Sequence, residues 1–484
     1  MRRKIRRSRQ PSRGDPRARG HRPHVLSVAR RRHCRAEGLA YVAAFDPAGE
    51  KRDAMTVIDC DENSPSYGEV VGWTELPTAG NELHHFGWNA CSSALCHEGH
   101  GHNGALERRY LIVPGLRSSR TYVLDTGTDP RKPEIVRTIE PEELAEKAGY
   151  SRPHTVHCGP GGIFMSNLGA ADGDGPGGVA LIDHDTFEVT AAWERERGEQ
   201  YFAYDVWWHL NEDVAITSEW ATPSMIENGL NPEDLLGRRF GHHLDFWSLS
   251  EGKLIQRVDL GDEHQMVLEV RPAHDPRKTW GFVGVVISVE DLSASVWLWH
   301  REDDRWAAKK VITIPAEPAE ADRLPPALQP FGAVPPLVTD IDLSVDDRWL
   351  YVSCWGIGEL KQYDVSDPHN PRETGSVRLG GIVNRTPHPA APELSLAGAP
   401  QMVEVSRDGR RVYATNSLYA AWDEIFYPDG VGAWMARIDA DIESGGMTPD
   451  ARFFPHGDDF RGLRVHQARL QAGDASSDSY CFVD

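Results

Sequence analysis

The stretch DDRWLYVS at residues 346–353, followed by ELKQYDVSDP at residues 359–368, decides the fold. Each half contains an apolar run of strand length, and the second half ends in an Asp-Pro turn. A similar pair of runs occupies residues 109–133, and the opening half recurs at residues 407–415. Each unit therefore predicts two strands of a four-stranded antiparallel blade.

The spacing of these units, ~40–60 residues, is typical of a closed ring of blades. Such a ring leaves few exposed strand edges, and a body of roughly 440 residues holds about seven blades of this size. We therefore expect an all-β, seven-bladed β-propeller that forms a single large domain over residues 37–484. Proline-rich residues 315–336 and 387–400 are expected to be long loops between blades. A pair of β-sandwiches is the structural alternative.

Local patterns agree with an all-β fold, because helical periodicity is scarce. Only residues 141–148 and 232–236 are good helix candidates, with Pro and acidic residues in the first turn. The run GDGPGG at residues 173–178 fits a dinucleotide-binding pattern by letter, but a strand-like run follows it where that site needs a helix. Further apolar runs predict strands at residues 109–113, 121–125, 178–183 and 280–285.

Charge is distributed unevenly along the 484 residues, whose formal net charge is −21. Residues 1–36 hold 14 basic residues and one acidic residue, which leaves 38 basic and 72 acidic residues, a formal charge of −34, in the remainder. Binding a phosphate backbone requires a basic face. The acidic charge of residues 37–484 therefore argues against a nucleic-acid partner.

The Arg-rich residues 1–36 are expected to be a disordered extension, since they offer little apolar surface. The Arg pairs are not followed by the apolar run that a secretory signal requires, and no run reaches the ~18 apolar residues of a membrane span. The seven cysteines are scattered singly, which does not indicate a disulfide framework. We expect a reduced cytoplasmic protein without integral membrane association, and a periplasmic location stays open.

Histidines suggest a metal site, since several of the 21 lie where strands are expected to begin. A propeller brings the inner strand of every blade to one axis, so that distant histidines can converge there. Imidazole is a preferred ligand of copper, zinc, iron and nickel, and three or four histidines would suit copper. Neighbours in a strand face opposite sides, so adjacent histidines can share an ion only in a loop or at a strand end. The candidates are His84, His85, His154, His157, His242, His243, His274 and His466.

A second candidate is the segment CHEGHGH at residues 96–102, whose glycines allow a loop to wrap a metal ion. The separation of Cys91 from Cys96 would allow a metal clip or a disulfide but compels neither. If this loop were the site, His100→Ala would lose the metal. If the central histidines were the site, it would not.

The run NELHHFGWNACSS at residues 81–93 closely resembles the signature of the selenium-binding protein family, whose members include methanethiol oxidases. Ordered matches to this family extend over roughly residues 38–480. They include residues 114–120, 154–158, 186–189, 204–207, 218–221, 339–341, 362–368, 400–402 and 417–423.

This resemblance implies a seven-bladed propeller that oxidises methanethiol with O2 and water to formaldehyde, hydrogen sulfide and hydrogen peroxide. The chain would then be an oxidoreductase acting on a sulfur group, with O2 as acceptor and copper bound by histidines. Through its matching motifs, the resemblance implies that the metal ligands are His84, His85, His154, His157 and His466. A non-catalytic propeller that binds or scaffolds is the alternative, because one fold hosts many functions.

Three positions depart from the family pattern. Gly68 stands where vertebrate members carry a selenium-linked cysteine, so that no thiol is available there. Ala475 replaces a second cysteine near the C-terminus, and Gln467 stands where the family usually has glutamate. Selenium binding through the usual thiol is therefore not expected.

Overall fold

Seven four-stranded antiparallel sheets follow one another along the chain. They are seen in a computed structural model that describes residues 37–91, 107–159, 161–275 and 277–476. The first sheet is shared between the two ends of the body, in the order β3-β2-β1-β30. Its strands are β1 (Leu39–Phe45), β2 (Arg52–Asp59), β3 (Val70–Ala79) and β30 (Arg464–Leu470).

The next three blades each use four consecutive strands. The second blade consists of β4 (Gly87–Trp88), β5 (Tyr110–Pro114), β6 (Thr121–Asp125) and β7 (Glu134–Ile139). The third consists of β8 (Tyr150–Gly159), β9 (Gly162–Ala170), β10 (Gly178–Ile182) and β11 (Val189–Ala192). The fourth consists of β12 (Val206–His209), β13 (Val214–Ser218), β14 (His243–Ser248) and β15 (Lys253–Asp259).

The last three blades have the same order of strands. The fifth blade consists of β16 (His264–Pro272), β17 (Trp280–Ser288), β18 (Ala294–Glu302) and β19 (Arg305–Ile314). After a two-stranded ribbon, β20 (Glu317–Pro318) and β21 (Ala333–Val334), the sixth consists of β22 (Val338–Leu343), β23 (Trp349–Cys354), β24 (Glu359–Asp364) and β25 (Arg372–Arg378). The seventh consists of β26 (Val403–Val405), β27 (Arg411–Thr415), β28 (Met435–Ala440) and β29 (Met447–Pro449).

Helices are short and lie between strands. The two predicted helices are confirmed as α1 (Pro141–Ala148) and α3 (Pro232–Leu236). Two others are α2 (Pro223–Ile226) and α4 (Ala420–Phe426). No helix in the described part of the chain is long and apolar enough to cross a bilayer.

The ring closes between the first and last parts of the body, which confirms the seven-bladed propeller and rules out the pair of β-sandwiches. Strand β30 supplies the inner strand of the first blade, pairing antiparallel with β1 from Ala40 opposite Leu470 to Phe45 opposite Arg464. The two proline-rich stretches connect the fifth blade to the sixth and the sixth to the seventh, as predicted. The expected extension at residues 1–36 lies outside the described residues.

The core lies between neighbouring blades, where large aromatic side chains fill the space. Between the fourth and fifth blades, Phe246 stacks on Trp306 at 4.8 Å between ring centres and meets the edge of Trp299 at 6.1 Å. Burial of each such ring removes about 150–250 Å² of mostly apolar surface from water, worth roughly 4–6 kcal/mol of transfer free energy. Contacts of this kind hold neighbouring blades together.

Candidate functional site

Four of the predicted histidines reach one place from three separate parts of the chain. His84 and His85 lie outside any strand, just before β4, which meets the condition that adjacent histidines occupy a loop or a strand end. His154 lies in β8 and His466 in β30, the inner strands of the third and first blades. Closure of the ring therefore brings His466 to the pair that follows β3.

Irregular strand pairing aims these side chains. In β8, His154 and Thr155 stand opposite a single residue of β9, and in β30 the same holds for His466 and Gln467 against β1. Strand β16 has a third bulge of this kind at Glu269. A β-bulge bends its strand and re-aims a side chain, and bulges are common beside functional sites.

The four imidazole rings form one contiguous cluster, which we call the central histidine set: His84, His85, His154 and His466. The ring centres of His84 and His466 are 3.6 Å apart, and those of His85 and His154 are 4.2 Å apart. The remaining contacts within the set span 4.9–5.2 Å. One nitrogen from each of His84, His85 and His466 lies within 4.8 Å of the other two.

Each member of the central histidine set has one buried ring nitrogen without a hydrogen-bond partner among the described residues. These atoms are Nδ1 of His84 and Nε2 of His85, His154 and His466. All four residues are 3% exposed or less. A buried polar atom without a partner costs free energy, so four of them together indicate that a ligand completes the site.

In three of the four histidines, the opposite nitrogen is held by a neutral acceptor. Nδ1 of His466 donates a 2.8 Å hydrogen bond to the carbonyl oxygen of Ser417. The proton therefore lies on Nδ1, and the lone pair of Nε2 is available to a ligand. The Thr155 hydroxyl lies 3.2 Å from Nδ1 of His85 and 2.9 Å from Nδ1 of His154. Because a hydroxyl oxygen has two acceptor lone pairs, Thr155 can orient both rings. Such bonds typically fix the tautomer of metal-binding histidines.

Burial keeps the central histidine set uncharged. Desolvation, followed by repulsion from neighbouring imidazoles, lowers the pKa of His84, His85 and His154 well below its usual range. Desolvation also lowers the pKa of His466 to about 3. Neutral imidazole is the form that coordinates metal ions, so the donors fit a metal that prefers nitrogen ligands.

A carboxylate and a phenol lie beside the histidines, and sequence reasoning did not single them out. Oε1 of Glu269 is 3.7 Å from Nε2 of His85 and accepts a hydrogen bond of 2.9 Å from the Tyr204 hydroxyl. Its Oε2 accepts a 3.0 Å bond from Arg271. Burial raises the pKa of Glu269 to about 7, against the opposing effect of Arg271. The carboxyl group can therefore hold or release a proton near neutral pH.

His157, the fifth predicted ligand, lies apart from the central histidine set. Three residues beyond His154, it stands roughly 10 Å farther along the strand at about 3.3 Å per residue. Its Nε2 lies 3.2 Å from Asp205, and its ring packs on Trp207 at 4.0 Å. Four of the five predicted ligands therefore lie together, and His157 is instead hydrogen-bonded to buried Asp205.

The other sequence candidates lie elsewhere. His274 is held by Asp347 and by the carbonyl oxygen of Ala475. His242 and His243 form a separate group at the edge of the fourth blade. The segment at residues 96–102 lies outside the described residues. The described cysteines, Cys60, Cys91, Cys158 and Cys354, are all buried.

Two departures from the family pattern can be located in the structure. Gly68 has a φ of +80°, and a Cβ there would lie 3.1 Å from the carbonyl oxygen of Arg452. A side chain at this position would be strained. Gln467 accepts a 2.6 Å hydrogen bond from the backbone N–H of Phe86, which ties the bulge of β30 to the loop that carries His84 and His85.

The fold and site define a class: a closed seven-bladed β-propeller with a buried cluster of neutral histidines among its inner strands. The family model of the 56kDa selenium binding protein (SBP56) matches residues 23–481. This chain belongs to that family.

Relatives of this chain come from animals, plants and archaea. It is 39% identical over 453 residues to the methanethiol oxidase of Xenopus laevis, covering 88% of this chain and 91% of the relative. It is 36% identical over 465 residues to selenium-binding protein 2 of Arabidopsis thaliana, covering 91% and 92%. A solved structure titled hypothetical selenium-binding protein from Sulfolobus tokodaii has 53% identity and a TM-score of 0.88, over 93% of this chain and 97% of that one.

Proposed function

We propose that this protein is a copper-dependent methanethiol oxidase and that the central histidine set holds the copper. The observation that carries the proposal is the group of four buried, unpartnered imidazole nitrogens. Relatives named methanethiol oxidase, at 39% identity over most of both chains, support the activity. The histidines would act as neutral nitrogen ligands, a donor type that suits copper.

The reaction to be supported converts methanethiol, O2 and water into formaldehyde, hydrogen sulfide and hydrogen peroxide. The methyl carbon loses two electrons and its bond to sulfur, and dioxygen gains those electrons with two protons. Bound copper would supply a centre that accepts electrons and favours the thiolate form of the substrate. The protein itself would orient the substrate, transfer protons and control the access of solvent.

Glu269 would serve proton transfer in this scheme. Its carboxylate lies 3.7 Å from His85 and is linked to the Tyr204 hydroxyl, so that it can hold the proton that a thiol releases. Arg271 fixes the carboxylate from the other side with a 3.0 Å bond. These contacts leave one carboxylate oxygen turned toward the central histidine set.

Buried aromatic side chains lie beside the histidines and would restrict the size of a substrate there. The ring centre of Tyr204 is 4.4 Å from that of His154, Trp220 lies 6.4 Å from the same ring, and Tyr419 lies 5.9 Å from His84. All three are buried. A one-carbon thiol fits such an enclosure better than a branched or aromatic one, and we expect turnover to fall as the thiol grows.

The test is an assay of purified protein for sulfide, peroxide and formaldehyde from methanethiol, before and after copper removal. Copper-loaded protein should form the three products in equal amounts, and metal-free protein should form none until copper is restored. Full activity without metal would refute the copper centre. Turnover no greater than that of free copper would favour a binding or scaffold role.

A further inference from the structure

We propose that His242, His243 and Asp259 form a second metal site, open to solvent, for a divalent ion of the zinc type. The three residues lie where the outermost strand of the fourth blade ends, and together they offer two imidazole nitrogens and a carboxylate oxygen. These ligand atoms lie within 4.8 Å of one another. The site shares no residue with the central histidine set and does not depend on the oxidase proposal.

Strand register brings two of the ligands together. His243, the first residue of β14, is paired directly with Asp259, the last residue of β15. Directly opposite residues of an antiparallel pair point to the same face, with Cβ atoms about 4.5–5.5 Å apart. Accordingly, Nε2 of His243 lies 4.0 Å from Oδ1 of Asp259.

His242 adds the third ligand because it precedes the strand. In a continuous strand it would face away from His243, but here it lies in the loop before β14. Its Nδ1 is 2.8 Å from Oδ1 of Asp259, and its ring centre is 4.1 Å from that of His243. All three ligands therefore face one side of the blade edge.

A buried carboxylate orients His243 from behind. Oε2 of Glu219 lies 3.0 Å from Nδ1 of His243, and Glu219 is 1% exposed. The bond places a proton on Nδ1 and directs the Nε2 lone pair toward Asp259. This carboxylate–histidine arrangement is the usual support of a metal-bound imidazole. Arg257 balances the charge of Glu219 from the other oxygen.

The donor set and its exposure indicate the type of ion. Two imidazoles with one carboxylate suit Zn²⁺, which takes three protein ligands and a water molecule in open sites. The side chains of His242 and His243 are 22% and 17% exposed, and that of Asp259 is 61% exposed. An ion bound here would exchange with solvent and would join the outermost strand to the loop before β14.

Zinc content after equilibrium dialysis against buffered Zn²⁺ tests the proposal. His243→Ala and the isosteric Asp259→Asn, which alters an exposed side chain, should each bind one zinc fewer per chain than the wild type. His300→Ala is the matched control, since His300 lies on the fifth blade, 3.3 Å from Glu302. Among the described residues, His300 belongs to no group of three ligand atoms close enough to share an ion. That variant should bind the same amount of zinc as the wild type.

Two results would overturn the proposal. One is wild-type zinc content in both His243→Ala and Asp259→Asn. The other is a loss of all bound zinc in His466→Ala, which would place every zinc ion in the central histidine set. Retention of the second zinc in His466→Ala supports the site even if that variant, or the wild type, has no oxidase activity.

Discussion

The central histidine set and the histidine pair at the edge of the fourth blade differ in burial, in donors and in the groups that orient them. The first consists of neutral imidazoles that are 3% exposed or less, oriented by a threonine hydroxyl and a backbone carbonyl. The second combines two partly exposed imidazoles with the exposed carboxylate of Asp259, and buried Glu219 orients His243.

If both proposals hold, one ligand type, the imidazole, serves two purposes in this molecule. Imidazoles sealed among inner strands, with no carboxylate as a direct member of the set, suit an ion that is retained and changes its redox state. Imidazoles at a strand edge beside a carboxylate suit an exchangeable zinc-type ion. Changes at the two places should therefore have separate and unequal effects.

The largest effect is expected from His466→Ala. It removes a ligand from the inner strand that closes the ring, so that bound copper should fall to a small fraction and methanethiol turnover should be abolished. Copper per chain and sulfide release, measured on the same preparation, check this. His300→Ala should change neither, and full copper retention by His466→Ala would contradict the central site.

A smaller effect is expected from Thr155→Val, which keeps the side-chain volume but removes the hydroxyl shared by His85 and His154. Loss of such an orienting bond typically weakens metal binding by about 10–100-fold. Copper affinity, measured by competition with a chelator, checks this. Thr56→Val is the matched control, because Thr56 is buried and donates a 3.0 Å bond to the carbonyl of Val42 away from the site. Equal copper affinity in both variants would show that Thr155 has only a packing role.

At the blade edge, zinc should stabilise the copper-loaded wild type but not copper-loaded Asp259→Asn, because copper already fills the central histidine set in both proteins. An ion that binds only the folded state adds about 2.7 kcal/mol at a concentration of 100 times its Kd. The midpoint of thermal unfolding should therefore rise with zinc in the wild type and stay constant in Asp259→Asn. An equal rise of the unfolding midpoint in both proteins would contradict zinc binding at this edge.

The smallest effect, taken over one pH unit, is the change in stability of the metal-free protein with pH. Burial lowers the pKa of His466 to about 3. Below the free pKa of ~6.5, His466 is therefore protonated in the unfolded chain, whereas in the folded chain it stays neutral down to about pH 3. The free energy of unfolding should therefore fall as pH decreases from ~6.5 toward ~3, by at most about 1.4 kcal/mol per pH unit from this residue. Urea unfolding at several pH values should give a shallower slope for His466→Ala. Identical slopes would contradict the buried neutral state of His466.

Much of the fold follows from local sequence patterns. The repeated pair of runs at residues 346–368 predicted β23 and β24, and the helix at residues 141–148 begins and ends as expected. Both depend on features close in sequence: turn residues, apolar runs of strand length and a proline at the helix start. The number of blades followed from the size of the repeat.

The site was only partly predictable, because it depends on how strands pair. Motifs identified His84, His85, His154 and His466, but the bulges that aim them arise from register between strands. The motif also included His157, which lies in the same strand but farther along it. Glu269 gave no signal in the sequence, since a bulge in a different blade brings it to the histidines.

X-ray absorption at the copper edge of copper-loaded protein tests the central claim most directly, since it reports the atoms around the ion. The account predicts a first shell of nitrogen atoms with the scattering pattern of several imidazoles and without sulfur, and this pattern should disappear in His466→Ala. A first shell containing sulfur, or a spectrum that His466→Ala leaves unchanged, would contradict a copper centre built from the central histidine set.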